Sequence, residues 1–126
     1  MNGLTLVTGA TGFIGRYLVR RLLQAAVPVR VLVRSPARLE ADVTPRVQVV
    51  QGDIRDGDAL AAATRGTQNV LHLAACARAW SRDPDEFCDV NLRATQTLFD
   101  AAHREGVERL VHVSTILALP AFWPAP

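Results

Sequence analysis

The residues with the clearest chemical potential stand near the start of the chain. Thr8-Gly9-Ala10-Thr11-Gly12-Phe13-Ile14-Gly15 carries three glycines at three-residue steps. Between a strand and a helix, Gly9 permits a tight turn, Gly12 lets the backbone approach a pyrophosphate, and Gly15 lets the helix lie close to the sheet. The helix start adds unpaired N–H groups and the positive end of its dipole. The competing explanation is a tight turn without a ligand, but this motif follows an apolar run and precedes an amphipathic one, the setting phosphate binding requires. Further on, Val33-Arg34-Ser35-Pro36-Ala37-Arg38 places two arginines ahead of the first acid, Glu40. At this point of a dinucleotide fold a carboxylate accepts from the ribose 2′-OH, whereas an arginine pairs with a 2′-phosphate, often bidentately. Arg34 and Arg38 therefore point to NADP(H) in preference to NAD(H). The alternative is that both are solvated loop arginines.

These groups need a scaffold, and the rest of the chain supplies its pattern. Leu4–Val7, Val29–Val33, Val47–Val50, Val70–Leu73 and Leu110–Val113 are short apolar runs without alternation, as in a parallel sheet covered on both faces. Helical spacing fills most gaps. Phe13, Tyr17 or Leu18, Leu22 and Ala26 recur at three- and four-residue steps before Pro28, and Tyr17 is expected to pack between helix and sheet. A short helix with Leu60 and Ala63 starts near Asp56 or Asp58, either of which can cap it, with Asp56 the favoured cap. A longer one runs from about Asp85 through Val90, Ala94, Leu98 and Ala101 to Gly106, while Ser35–Arg46, with Pro36 and Pro45, holds only a short helical turn. The order β-α-β-(turn)-β-α-β-α-β predicts a doubly wound α/β (Rossmann) parallel sheet with strands in the order 3-2-1-4-5, cut short after the fifth.

The chain has 126 residues, 49% of them hydrophobic and 21% charged, which fits one globular domain and excludes a disordered chain. No run approaches the roughly 20 apolar residues of a membrane span. Leu4–Val7 already reads as a core strand, so no secretory leader is expected ahead of it. Cys76 and Cys88 are too few for a disulfide framework and lack metal-site spacing, so they read as small core or near-core residues of a cytoplasmic protein. All fourteen basic residues are arginine, and there is no lysine. Residues 1–52 carry seven arginines against Glu40 and Asp42, and residues 53–126 carry seven against ten acids. This dispersed N-terminal excess suits a phosphate-bearing ligand rather than a nucleic-acid surface, unless it only reflects a preference for arginine codons.

Taken in order, the motifs resemble the extended short-chain dehydrogenases/reductases, the epimerase–dehydratase group. Thr8–Gly15 resembles the cofactor signature, and Gly52-Asp53-Ile54-Arg55-Asp56 resembles the adenine-contacting segment. Leu71-His72-Leu73-Ala74-Ala75 is similar to the H-x-A-A motif, Asp89-Val90-Asn91 through Thr95 to the V-N-x-x-x-T helix, and Val111–Thr115 to the fifth strand with its hydroxyl pair. Arg78–Pro84 looks most like dihydroflavonol-reductase-like and hydroxysteroid-dehydrogenase-like members. The resemblance covers residues 4–119. It implies that Thr11, Phe13 and Ile14 join the three glycines at the cofactor, with Leu73, Ala74, Ala75 and Asn91. It further implies that Asp53 accepts a hydrogen bond from the adenine amino group while Ile54 packs on the ring; the alternative for Asp53 is a strand-end cap. His72 is implied to orient its loop, with no partner assigned. A homodimer through the helix near residues 85–105 is implied as well.

The same resemblance implies hydride transfer by a serine or threonine, a tyrosine and a lysine, since a phenol needs a nearby cation to work at neutral pH. Thr115 falls at the hydroxyl position, with Ser114 one place before it. The only tyrosine is Tyr17, followed four residues later by Arg21, so the Tyr-x-x-x-Lys dyad has no counterpart. The expectation is a nicotinamide-dinucleotide-binding domain over residues 1–119 and an apolar proline-rich tail over 120–126. By itself it would be inactive, taking a steroid-, flavonoid- or sugar-like substrate only with a C-terminal half supplied. A second reading is a cofactor-sensing or scaffold module that pairs with a partner through an apolar fifth-strand edge, covered in part by Phe122 and Trp123.

Overall fold

The computed structural model describes residues 3–78 and 80–115. Phe122 and Trp123 lie outside them. Five parallel strands form one sheet in the order β3-β2-β1-β4-β5. They are β1 (Thr5–Thr8), β2 (Val29–Val33), β3 (Gln48–Gln51), β4 (Asn69–His72) and β5 (Arg109–His112). The helices are α1 (Phe13–Gln24), α2 (Gly57–Thr64), α3 (Glu86–Cys88) and α4 (Ala94–Arg104). One π turn, Asp89–Arg93, joins α3 to α4. The stretch after β2 holds two short 3-10 turns, Pro36–Arg38 and Thr44–Arg46, where one was expected.

Alternation hidden inside the apolar runs divides the core into two layers. Val7, Val29, Val31, Val33 and Leu71 face α1, where Val19 and Leu22 meet them. Leu6, Leu32 and Val70 face the other way, toward Leu60 of α2 and Leu98 and Ala102 of α4. Both sets are apolar, so the strands read as continuous runs. Each such leucine or valine, fully buried, stabilises the fold by roughly 1.5–3 kcal/mol before entropy is counted.

Two expectations need correction. Four strands sit one residue away from the apolar runs: β1 and β3 lie one residue later and β4 and β5 one residue earlier, so that β1 and β4 end on Thr8 and His72, neighbours in register. In addition, α1 buries Gly15, Val19 and Leu22 and leaves Phe13 80% and Tyr17 62% exposed. Tyr17 does not pack between helix and sheet; it meets Phe13 edge-to-face with ring centroids 5.7 Å apart. Gly15 sets this rotation, since it is pressed on the turn, and residues two positions away on a helix point roughly 160° from it. In the longer helix Ala94, Leu98 and Ala101 are buried as expected.

Candidate functional site

An open crevice of about 510 Å³ lies over the carboxyl ends of β1 to β4. This is where the strand order reverses, the place where ligands bind in such sheets. Its floor is the turn from β1 to α1. Gly9 has φ +73°, and a Cβ there would stand 2.7 Å from the Ala74 amide nitrogen. A Cβ on Gly15 would come within 2.1 Å of the Gly9 carbonyl oxygen. The helix thus starts hard against its own turn. Gly12 is the N-cap; no side chain caps the helix, and its first turn holds no acid. The first amides of α1 are left for a ligand, and they favour an anion.

The walls come from three other strand ends. Arg34 and Arg38, both exposed, line the crevice beyond β2. Neither makes an ion pair among the described residues. The first acid after them in the chain, Glu40, does not line the crevice and is paired with the Arg20 Nε of α1 at 2.7 Å. Beyond β3, Asp53 and Ile54 line the crevice, with Ile54 also packed against the α2-side core. Asp53 is tied to Arg55 by three bonds: Oδ1 accepts from the Arg55 backbone N–H and Nε, each at 2.9 Å, and Oδ2 from Nη2 at 2.8 Å. This guanidinium lowers the Asp53 carboxyl from 3.8 to about 2, against the opposing effect of burial, and Arg34 adds to the lowering.

Beyond β4, Leu73, Ala74 and Ala75 line the crevice. Their position depends on contacts that the apolar pattern did not reveal. His72 is fully buried; its Nδ1 lies 2.7 Å from Thr8 Oγ1 and its Nε2 lies 3.0 Å from Thr95 Oγ1. The Ala74 amide donates to the same Thr8 hydroxyl at 3.2 Å. Burial first, and the stacked His112 ring second, push the His72 pKa down from 6.5 to about 4, so the imidazole is neutral near pH 7. The signal lay in the sequence as a polar residue ending each of two apolar strands, but the pairing of distant strands was needed to join them.

Gly9, Thr11, Gly12, Arg34, Arg38, Asp53, Ile54, Leu73, Ala74 and Ala75 thus converge on one crevice. The remaining candidates stand elsewhere. Phe13 and Ile14 point outward at the start of α1, and Gly15 is used in packing. Asn91 lies in the π turn and grips the Cys76 backbone, accepting from its N–H at 2.8 Å and donating to its carbonyl at 3.0 Å. It fixes the wall and does not line it. Ser114 and Thr115 follow β5, exposed and outside the crevice lining. Among the described residues no cluster of His, Cys, Asp or Glu suits a metal ion, and no helix is long and apolar enough to cross a membrane.

Known proteins resemble this chain in sequence and fold. A model of the NAD dependent epimerase/dehydratase family matches residues 5–122. A Synechocystis sp. relative, provisionally named dihydroflavonol 4-reductase, is 36% identical over 113 residues, covering 90% of this chain and 33% of its own. A Mycobacterium tuberculosis 3 beta-hydroxysteroid dehydrogenase/Delta 5-->4-isomerase is 39% identical over 119 residues, covering 90% and 32%. The chain therefore spans about a third of the length of the curated relatives it matches. A short-chain dehydrogenase/reductase superfamily structure from Agrobacterium tumefaciens, solved with bound NAD, superposes with a TM-score of 0.78 at 35% identity, covering 89% of this chain and 32% of that one.

Proposed function

The chain belongs to the NAD dependent epimerase/dehydratase family, and from that premise we propose that its crevice binds NADP(H) in preference to NAD(H), as the cofactor part of an oxidoreductase or epimerase/dehydratase. One observation supports the preference: among the described residues neither Arg34 nor Arg38, beyond the end of β2, makes an ion pair, while Glu40 is engaged by Arg20. Two guanidinium groups without an ion-pair partner among the described residues match a 2′-phosphate, and the first acid after them, Glu40, is paired with Arg20 and does not line the crevice. The Agrobacterium structure holds NAD, so the dinucleotide is the shared feature and the 2′-phosphate is what these arginines add. In this reading the pyrophosphate lies on the α1 amides, the adenine amino group donates to Asp53, and Ile54 packs on the ring. Calorimetric titration should give tighter binding of NADPH than NADH by about tenfold or more. Arg34→Ala/Arg38→Ala should erase that difference while leaving NADH affinity unchanged. Equal affinities in the unaltered protein would refute the preference.

Thr115, with Ser114 beside it, is proposed to orient the oxygen of a carbonyl or alcohol substrate of steroid-, flavonoid- or sugar-like kind. No Tyr-x-x-x-Lys pair occurs in these 126 residues, so hydride transfer requires groups they do not contain. A partner-binding module is the second reading, supported by Val111 and Val113, each 44% exposed along and just past the β5 edge. Leu92 in the π turn and Phe99 on α4, both exposed, support pairing of two copies there. Sedimentation at increasing concentration, with and without NADPH, distinguishes a monomer from either association.

A further inference from the structure

We infer that Arg55 is a positioning residue for purine selection: it aims one remaining acceptor site of Asp53 into the crevice, so that the site takes an adenine amino group and refuses a purine carbonyl. The inference rests on the proposed role of Asp53 and deepens it. A carboxylate offers about four lone-pair sites. Arg55 uses three, two on Oδ1 through its backbone N–H and Nε, and one on Oδ2 through Nη2. The planar fork leaves a single site on Oδ2, and Asp53 lines the crevice. A group so held is acceptor-only at neutral pH, because the same guanidinium keeps its pKa near 2.

The chemistry of the two purines then decides the outcome. Adenine presents an exocyclic amino donor where hypoxanthine presents a carbonyl acceptor, and two acceptors face to face leave both unsatisfied. A loose aspartate could swing away and let water bridge to the carbonyl. A clamped one cannot. Arg55 touches no other described side chain at ion-pair distance and is 44% exposed, so its role is separable from the core. Lysine could keep the charge but not the fork, since an ammonium is a point charge.

The test measures affinity for NADP+ and for nicotinamide hypoxanthine dinucleotide phosphate, and repeats the contrast with the pair that lacks the 2′-phosphate. The unphosphorylated pair keeps the result independent of Arg34 and Arg38. The unaltered chain should favour adenine by about tenfold or more. Arg55→Met should reduce that ratio to less than about threefold, Arg55→Lys should restore little of it, and thermal melting should show both variants folded. With Asp53→Asn already in place, Arg55→Met should change the ratio no further. A full adenine preference retained in folded Arg55→Met overturns the role of Arg55 and leaves that of Asp53 standing. No preference in the unaltered chain, or no binding at all, overturns both.

Discussion

Two helices begin beside the crevice and solve the same problem in opposite ways. The start of α2 is closed by its own chain: Asp56 Oδ1 accepts from the Asp58 and Ala59 amides at 2.9 and 3.4 Å, and Asp58 adds negative charge to the first turn. The start of α1 has Gly12 as its cap, no side-chain bond and no acid. Every helix leaves its first amides unpaired, so something must satisfy them. Where the chain supplies a carboxylate, the end is structural. Where it supplies only glycine, the end is available to an anion from outside, and the stability forgone there is what binding can recover.

The largest effect should come from filling the space on which α1 depends. Gly15→Val would drive a side chain into the Gly9 carbonyl, so chemical denaturation should show a loss of about 3 kcal/mol or more, with dinucleotide affinity lost as well. Gly12→Asp would turn α1 into a second α2. Its stability should stay within about 1 kcal/mol of the original or rise, while dinucleotide affinity falls by roughly a hundredfold from a carboxylate set against a pyrophosphate. Undiminished binding in that variant would break the comparison.

The seam from which the α1 turn hangs has its own pH dependence. The unfolded His72 imidazole gains its proton near 6.5 and the folded one only near 4. Between those values the unfolded chain holds more protons, so acidification favours unfolding. The His72 contribution is complete above pH 6.5 and is lost as pH falls toward 4, on the order of 3 kcal/mol in all. His72→Gln should flatten the stability curve in that window. The smallest effect belongs to α2. Asp56→Ala should cost about 1 kcal/mol of stability and leave dinucleotide affinity unchanged. A large loss of affinity there would mean that the two helix starts are not separate in function.

The legibility of these regions differed in the same way. The three inner strands and both helix starts were readable because each signal is local: a run of apolar residues, a glycine spacing, an aspartate one residue ahead of a helix. The face of α1 is legible in part: Leu18 and Leu22 pack on the core as their spacing predicts, whereas Phe13 and Tyr17 fit the same spacing and point outward. Only the contact at Gly15 chooses between the two stripes. The contact of the Asn91 amide with the Cys76 backbone, 15 residues away, has no local signal in the sequence. His72 appeared without a partner because Thr8 and Thr95 lie 64 and 23 residues from it in the chain.

Local pattern was thus enough for the element types, the strand order and the glycine floor of the crevice, since handedness and periodicity act over neighbouring residues. Tertiary packing alone decided which side of α1 is buried, that Glu40 is diverted to Arg20, and that a neutral histidine joins β1, β4 and the long helix. Those outcomes depend on which side chains meet after the sheet has formed, and a buried polar group finds its partner across space, not along the sequence.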